Sequence, residues 1–258
     1  MKKTLMVLLG LFLLTALAAC GSQTETESGM KLVEEGKFTF AASGEFKPFS
    51  WTLEDGTMTG FDIEVGEAIA KEIGLEPVQK KHKFNAIVEG VKSGRFDAAV
   101  ASHTITPDRQ EHVDFSTPYY YSGAQIFTQP GSNLETLEDL EGKTVGVSKG
   151  STYMDYAEEV TDDIKVYDSD VVALQVLSEG KLDAVITDFL TGKEGISNGL
   201  EIVGKTMLDR SEQAVAVAKD NPELLEQVNE ALEILRENGT LKELSEKYFD
   251  ADITTKPE

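Results

Sequence analysis

A gapless internal repeat constrains the fold of this 258-residue chain more than any other feature. The run Val91-Lys-Ser-Gly-Arg-Phe-Asp97-Ala-Ala-Val-Ala-Ser102 overlays Leu177-Ser-Glu-Gly-Lys-Leu-Asp183-Ala-Val-Ile-Thr-Asp188 step for step. Each copy reads as a helix end, a glycine stop, a basic residue, an apolar residue, Asp-Ala and a strand. Chance likeness between two helix-to-strand turns is the competing explanation, since glycine stops and apolar strands are common. Two related lobes explain the repeat more fully. The overlay then puts Ser102 and Asp188 at one equivalent place, the carboxyl end of a strand, where open α/β sheets bind their ligands. Two lobes facing each other through such ends enclose a cleft.

The rest of the chain keeps the same grammar. Lys37 to Ala41 alternates as a strand, and Asp62 to Ile73 carries Val65, Ile69 and Ile73 at helical spacing before Gly74 stops it. Further strands are expected at Ala98 to Ala101, Thr144 to Val147, Ile164 to Tyr167, Asp183 to Thr187 and Ala214 to Ala218. Leu224, Val228, Ala231, Leu232 and Leu235 mark one face of a long helix ended by Gly239, and Thr240 with Glu243 offers a capping box for another. Alternation of this kind predicts an α/β protein of two lobes, each a mostly parallel sheet flanked by helices.

The amino terminus predicts where the chain works. Lys2 and Lys3 precede an apolar run from Leu5 to Leu17, short for a bilayer span, and Leu17-Ala18-Ala19-Cys20 resembles a bacterial lipobox. Residues 1–19 are expected to be a lipoprotein signal peptide, Cys20 the lipidated first residue, and 20–35 a flexible tether. Gly21 to Gly29 carries no aliphatic or aromatic side chain that would repay ordering. A plain secretory signal with an incidental cysteine is the alternative. The formal net charge of −22 argues against nucleic acid and anionic headgroups as partners. Cys20 is the only cysteine, so no internal disulfide forms. His82, His103 and His112 sit at no metal-ligand spacing, and no cofactor or metal is expected, an irregular calcium loop being the alternative left open.

Candidate ligand contacts gather at the expected strand ends. In Thr104-Ile-Thr-Pro-Asp-Arg109, Thr106 is placed to cap a short helix with Pro107 in its first turn, which holds Arg109 near the cleft. A guanidinium held there grips a carboxylate with two parallel hydrogen bonds, helped by Thr104. Opposite, Lys149-Gly-Ser-Thr152 turns amides and hydroxyls toward an anion, although it reads equally as an ordinary helix cap and lacks the second glycine and lysine of a nucleotide P-loop. Asp188 is either an acceptor for an ammonium group or a cap. Arg109 on one lobe and Asp188 on the other suit a zwitterion, with Phe46 and Phe84 as flat apolar walls.

Three stretches together carry a family resemblance: Gly60-Phe-Asp-Ile-Glu-Val-Gly-Glu-Ala-Ile-Ala70; Phe96-Asp-Ala98 through Arg109 to Val113-Asp-Phe-Ser-Thr-Pro-Tyr-Tyr120; and Leu140-Glu-Gly-Lys-Thr-Val-Gly-Val147 through Thr152. They resemble the extracellular solute-binding proteins of polar-amino-acid ABC transporters over nearly the whole mature length. The resemblance implies a two-lobed periplasmic-binding-protein-like fold of type II, with lobe 1 formed by 36–121 and 212–258 and lobe 2 by 122–211. The connecting strands would be Tyr119 to Gly123 and Asp209 to Gln213. It implies that Arg109, Thr104 and Thr152 bind the ligand carboxylate, Ser102 and Asp188 its ammonium, Phe46 and Phe84 its body, with the backbone at Ala101 and Ser151 contributing. One departure bears on specificity. Family members for basic amino acids or glutamine often carry an acid where this chain has Ser43, which disfavours lysine and arginine as ligands unless Glu45 turns inward, and leaves neutral polar ligands such as cystine open.

The function implied is capture without chemistry. A monomer tethered by Cys20 to the outer face of the bacterial cell membrane takes up a free amino acid, closes, and docks on permease subunits. The rival is a cyclohexadienyl-dehydratase-like enzyme on the same scaffold. Such an enzyme needs a positioned acid or base, and His103 is the only histidine near the expected cleft.

Overall fold

Two five-stranded sheets organise the chain. The structure, a computed structural model, describes residues 24–26 and 29–257, so the expected signal peptide and Cys20 lie outside the described residues. In chain order the main strands are β1 (Lys37–Ala42), β2 (Glu76–Lys81), β3 (Ala98–Ala99), β4 (Val113–Ser122), β5 (Ala124–Thr128), β6 (Val145–Ser148), β7 (Ile164–Tyr167), β8 (Ala184–Asp188), β9 (Val203–Met207) and β10 (Ser211–Ala218). One sheet runs β2-β1-β3-β10-β4 and the other β7-β6-β8-β5-β9. In each sheet four strands point one way and a single strand, β10 or β5, runs against its two neighbours. The fold is thus α/β with mostly parallel strands, as the alternation of elements predicts.

The reversed strand of each sheet is reached directly from the other sheet, β5 from β4 through Gly123 and β10 from β9 through Leu208 to Arg210. The two crossings touch. A Cβ on Gly123 would lie 2.0 Å from the Asp209 carbonyl oxygen, closer than any side chain allows. After β10, helices α7 (Pro222–Glu237) and α8 (Thr240–Phe249) return to pack on α1 (Phe61–Glu72) beside the first sheet. Leu224, Val228, Leu232 and Leu235 of α7 are buried in the same cluster as Phe61, Ile63 and Ile69. Around the second sheet the period of two sorts the apolar side chains: Ile126 and Ile186 enter one cluster, while their neighbours Phe127 and Val185 enter another.

Three local expectations need correction. The strand expected at Ala98 to Ala101 ends at Ala99, because Ser102 takes a left-handed backbone (φ 58°) and turns the chain toward the cleft. The capping box at Thr240 and Glu243 does not form: left-handed Gly239 is the cap, its carbonyl accepts the Glu243 N–H, and Thr240 is already helical. Order also begins before the expected tether boundary at residue 35. Met30 and Leu32 are buried in the core, Lys31–Leu32 pairs antiparallel with Thr24–Glu25, and the Val33 N–H donates to Asp97. These two apolar side chains repay the ordering of this segment.

Candidate functional site

The carboxyl ends of the two sheets face a pocket of about 470 Å³, part of it open solvent. On the first side, Thr106 caps α3 (Pro107–Gln110) by accepting the Arg109 N–H at 3.2 Å, and Pro107 fixes the first turn. That short helix aims Arg109 into the pocket. One guanidinium nitrogen donates to the Thr104 carbonyl at 2.8 Å, the other reaches across to the Gly150 carbonyl at 3.1 Å, and the group lies 5.8 Å from the centre of the Phe84 ring. Half-buried Arg109 forms no ion pair with a carboxylate among the described residues, and burial draws its pKa below the usual arginine value. A cation left without a counter-ion at a pocket wall favours an anionic group in the ligand.

Ser102 is held beside it by a buried network. Its hydroxyl donates to Asp62 at 2.7 Å, the Tyr119 hydroxyl donates to the other Asp62 oxygen at 2.6 Å, and the Ser102 N–H donates to the Tyr119 oxygen at 3.0 Å. Burial pushes the Asp62 carboxyl up to about 6 despite these bonds. Phe84, which opens α2 (Phe84–Lys92), stacks on His103 with ring centres 4.5 Å apart. Phe46 stacks on Phe49 at 4.9 Å. Phe46 and Phe84 line the pocket, whereas His103 is buried behind Phe84, held neutral by burial and by nearby Arg109, with its Nδ1 unpartnered among the described residues.

On the second side, Ser148 ends β6, and Ser151 and Thr152 follow it in the turn before α4 (Tyr153–Glu158). Gly150 takes a positive φ of 77° and comes so close to α2 that an added Cβ would lie 2.7 Å from the Asn85 Cβ. The buried acid on this wall is Asp170, the first residue of α5 (Asp170–Ser178). Its Oδ1 accepts the Ser148 hydroxyl at 2.8 Å and the Thr187 hydroxyl at 2.7 Å, and burial raises its pKa. No basic side chain forms an ion pair with it among the described residues.

Asp188 sits elsewhere. It caps α6 (Phe189–Ser197), accepting the Leu190 N–H at 2.8 Å and the Thr191 N–H at 3.3 Å, and it also accepts the Ser122 hydroxyl at the crossing between sheets. Buried, with its carboxyl pushed up to about 7, it stands behind the pocket wall rather than on it, near enough for its charge to act on pocket-lining Tyr153. Ala101 is likewise buried off the pocket wall. Of the expected residues, Ser43, Phe46, Phe84, Ser102, Thr104, Arg109, Ser151 and Thr152 share the pocket, while Asp170, Ser148, Tyr153, Asp168 and Ser169 were not foreseen. Glu45 lines the pocket too, 2.9 Å from Lys81, and the Ser169 hydroxyl donates to its carbonyl at 2.7 Å across the cleft.

Comparison with known proteins bears on this arrangement. The profile of the bacterial extracellular solute-binding proteins, family 3, matches residues 38–251. The chain belongs to this family. It is 33% identical over 256 residues to the L-cystine-binding protein TcyJ of Escherichia coli (strain K12), covering 96% of each chain. Among solved structures it resembles an ancestral arginine-binding protein bound to arginine, with TM-score 0.79 and 35% identity over 83% of this chain and 98% of that one. It also resembles the ancestral amino acid-binding protein AncCDT-1, a precursor of cyclohexadienyl dehydratase, with TM-score 0.77 and 30% identity over 83% of this chain and 96% of that one. Similarity to amino-acid-binding proteins thus extends over both sheets and the pocket between them.

Proposed function

We propose that this protein is the lipid-anchored, monomeric binding component of an amino-acid ABC importer, and that it captures a free amino acid between its lobes and delivers it to permease subunits. The observation that carries the reading is the pair Arg109 and Asp170: opposite charges, on opposite sides of one pocket, neither in an ion pair among the described residues. A zwitterion completes both. Thr104 and the Ser151-Thr152 turn join Arg109 at the carboxylate, Ser102 and Ser148 join Asp170 at the ammonium, and Phe46 and Phe84 cover the ligand body. Closure follows because only an arrangement with both sides on the ligand pairs both of its ends. The bending segments are the crossings at Gly123 and at Leu208 to Arg210.

The ligand favoured is a neutral polar amino acid, cystine among them, over lysine or arginine. Ser43 supplies no charge, and the pocket carboxylate two residues further on, Glu45, is already held by Lys81. A dehydratase reading is weaker, because His103 is shut behind Phe84 and away from the pocket. A thermal-shift panel of the twenty amino acids with cystine and opines tests the proposal. A ligand at a hundred times its Kd stabilises by about 2.7 kcal/mol, and no shift with any amino acid would refute it. The anchor is tested separately: Cys20→Ser is expected to release the protein from the membrane fraction with ligand affinity unchanged, and unaltered retention would remove the lipidation assignment.

A further inference from the structure

The strand that follows the Leu208 to Arg210 crossing reaches the pocket wall through one buried amide. Gln213 of β10 is 2% exposed and does not line the pocket. The loop after β3 is pinned along it: the Ala214 N–H donates to the His103 carbonyl at 3.1 Å, the Ile105 N–H donates to the Glu212 carbonyl at 3.0 Å, and Thr104 pairs with Gln213 as an antiparallel bridge. The Gln213 Nε2 donates to two hydroxyl oxygens, that of Ser211 at 2.6 Å and that of Thr104 at 3.3 Å. Thr104 itself lines the pocket, and its carbonyl accepts from the Arg109 guanidinium. Its hydroxyl hydrogen has no acceptor among the described residues.

An amide carries two hydrogens on its nitrogen and none on its oxygen, so its orientation decides what the neighbouring hydroxyls can do. With the nitrogen toward them, Ser211 and Thr104 both accept, at the cost of one buried oxygen, the Gln213 Oε1, without a partner among the described residues. The reverse orientation would strand two N–H hydrogens in that place and would turn the Thr104 hydrogen onto the amide oxygen. We propose that Gln213 is a positioning residue for the ligand carboxylate: by donating to Thr104 it makes that hydroxyl an acceptor on the inner side and keeps its hydrogen free to donate to the carboxylate. The inference rests on the reading that Thr104 joins Arg109 at the carboxylate. A hydrogen left free for the pocket needs no rearrangement when an anion arrives, whereas one given to an internal acceptor must break that bond first. Since every amino acid carries the same α-carboxylate, Gln213 acts on affinity and not on the choice between side chains.

The test is isothermal titration of Gln213→Glu and Gln213→Met, each alone and combined with Thr104→Val, with the twenty amino acids and L-cystine as probes. Glutamate keeps the shape of glutamine but only accepts, so it captures the Thr104 hydrogen, and Gln213→Glu is expected to weaken every amino acid that binds by about tenfold or more. Gln213→Met removes the donor without adding charge, and carries the test where a buried carboxylate prevents folding. It is expected to weaken binding by about threefold or more in the native background and by less than about twofold once Thr104→Val has removed the hydroxyl. The loss is also expected to be the same, within about threefold, for every amino acid that binds. The assignment is overturned if Gln213→Met binds like the native protein, if its loss is equal with and without the Thr104 hydroxyl, or if the loss depends on the amino acid. Native affinity in Thr104→Val would likewise overturn this inference while leaving amino-acid capture intact. Absence of binding by every probe to the native protein would instead overturn the amino-acid reading and this inference with it.

Discussion

The two copies of the repeat begin alike and end differently. Gly94 and Gly180 both take the left-handed backbone that ends a helix, with φ of 71° and 76°. Asp97 accepts the Thr39 N–H in β1, and Asp183 accepts the Thr144 N–H just before β6, so each ties its strand to the parallel neighbour in its own sheet. Five residues further on the copies part. Ser102 turns left-handed and presents a tethered hydroxyl to the pocket, whereas Asp188 remains extended (φ −60°, ψ 131°) and caps the helix that follows. Equivalent backbone position does not fix the fate of a side chain when a helix begins at the next residue and its free N–H groups compete for an acceptor.

The sharpest way to break that comparison is to remove the acids one at a time. Asp170→Asn and Arg109→Ala are each expected to weaken ligand binding by about 2–5 kcal/mol, about thirtyfold or more, since each leaves one end of a desolvated zwitterion unpaired. Asp188→Asn is expected to keep the affinity within about threefold and to cost about 1–3 kcal/mol in folding stability through the weakened cap and the Ser122 bond. Titration calorimetry with urea denaturation separates the two effects. Lost affinity in Asp188→Asn with retained affinity in Asp170→Asn would reverse the assignment.

Why Arg109 was legible in the sequence and Asp170 was not has a physical reason. The Arg109 side of the site is written locally: Thr106 and Pro107 set the helix that aims the arginine, and both act within three residues of it. The strand alternation and the apolar face of α7 are legible for the same reason, being periodic or short-range. Asp170 depends on contacts at a distance, Ser148 and Thr187 from two other strands, and in the sequence Asp168-Ser-Asp170 reads as a plain helix start. One signal was present. Asp170 follows the end of β7, as the Gly150 turn follows β6, so applying the strand-end rule to every strand would have found it. Met30 and Leu32 escaped notice because two apolar residues after a polar stretch carry no periodicity, and only their burial reveals their role.

The same two strand ends differ in how they couple stability to pH. Asp62, which holds Ser102, and Asp97 are raised to about 6, and Asp188 to about 7, in each case because burial disfavours the charged form. A carboxyl raised on folding contributes stability that is full below its unfolded value near 3.9 and is lost as pH rises through the folded value. Stability is therefore expected to fall by a few kcal/mol between about pH 4 and pH 7. The exposed acids Asp55, Asp139, Asp163 and Asp220 are lowered by their hydrogen bonds, so their contribution disappears only on the acid side of that window. Urea denaturation across pH checks this: Asp188→Asn should remove the upper part of the fall and Asp62→Asn the lower part, while a flat profile in the native protein would contradict both assignments.

The smallest expected effect concerns the rim where the lobes meet outside the pocket. Trp51 is the single tryptophan, half-buried and 5.9 Å edge-on from Tyr248, and it does not line the pocket. It senses the cleft at one remove, because the Lys47 ammonium lies 5.6 Å from the centre of its ring and 3.2 Å from Glu194 of α6, on the other lobe. Opening the cleft separates Lys47 from Glu194 and frees the lysine to move relative to the indole, which alters the charge beside the ring without changing its packing. Ligand-induced closure is accordingly expected to shift Trp51 emission by a few nanometres at most, together with a smaller radius of gyration in solution scattering. Glu194→Gln should reduce the optical shift while sparing the change in scattering, since the lobes still close on the ligand. An unchanged optical shift in that variant would mean that Trp51 reports on its own lobe alone, and unchanged scattering in the native protein would mean that its two halves do not move apart when the ligand leaves.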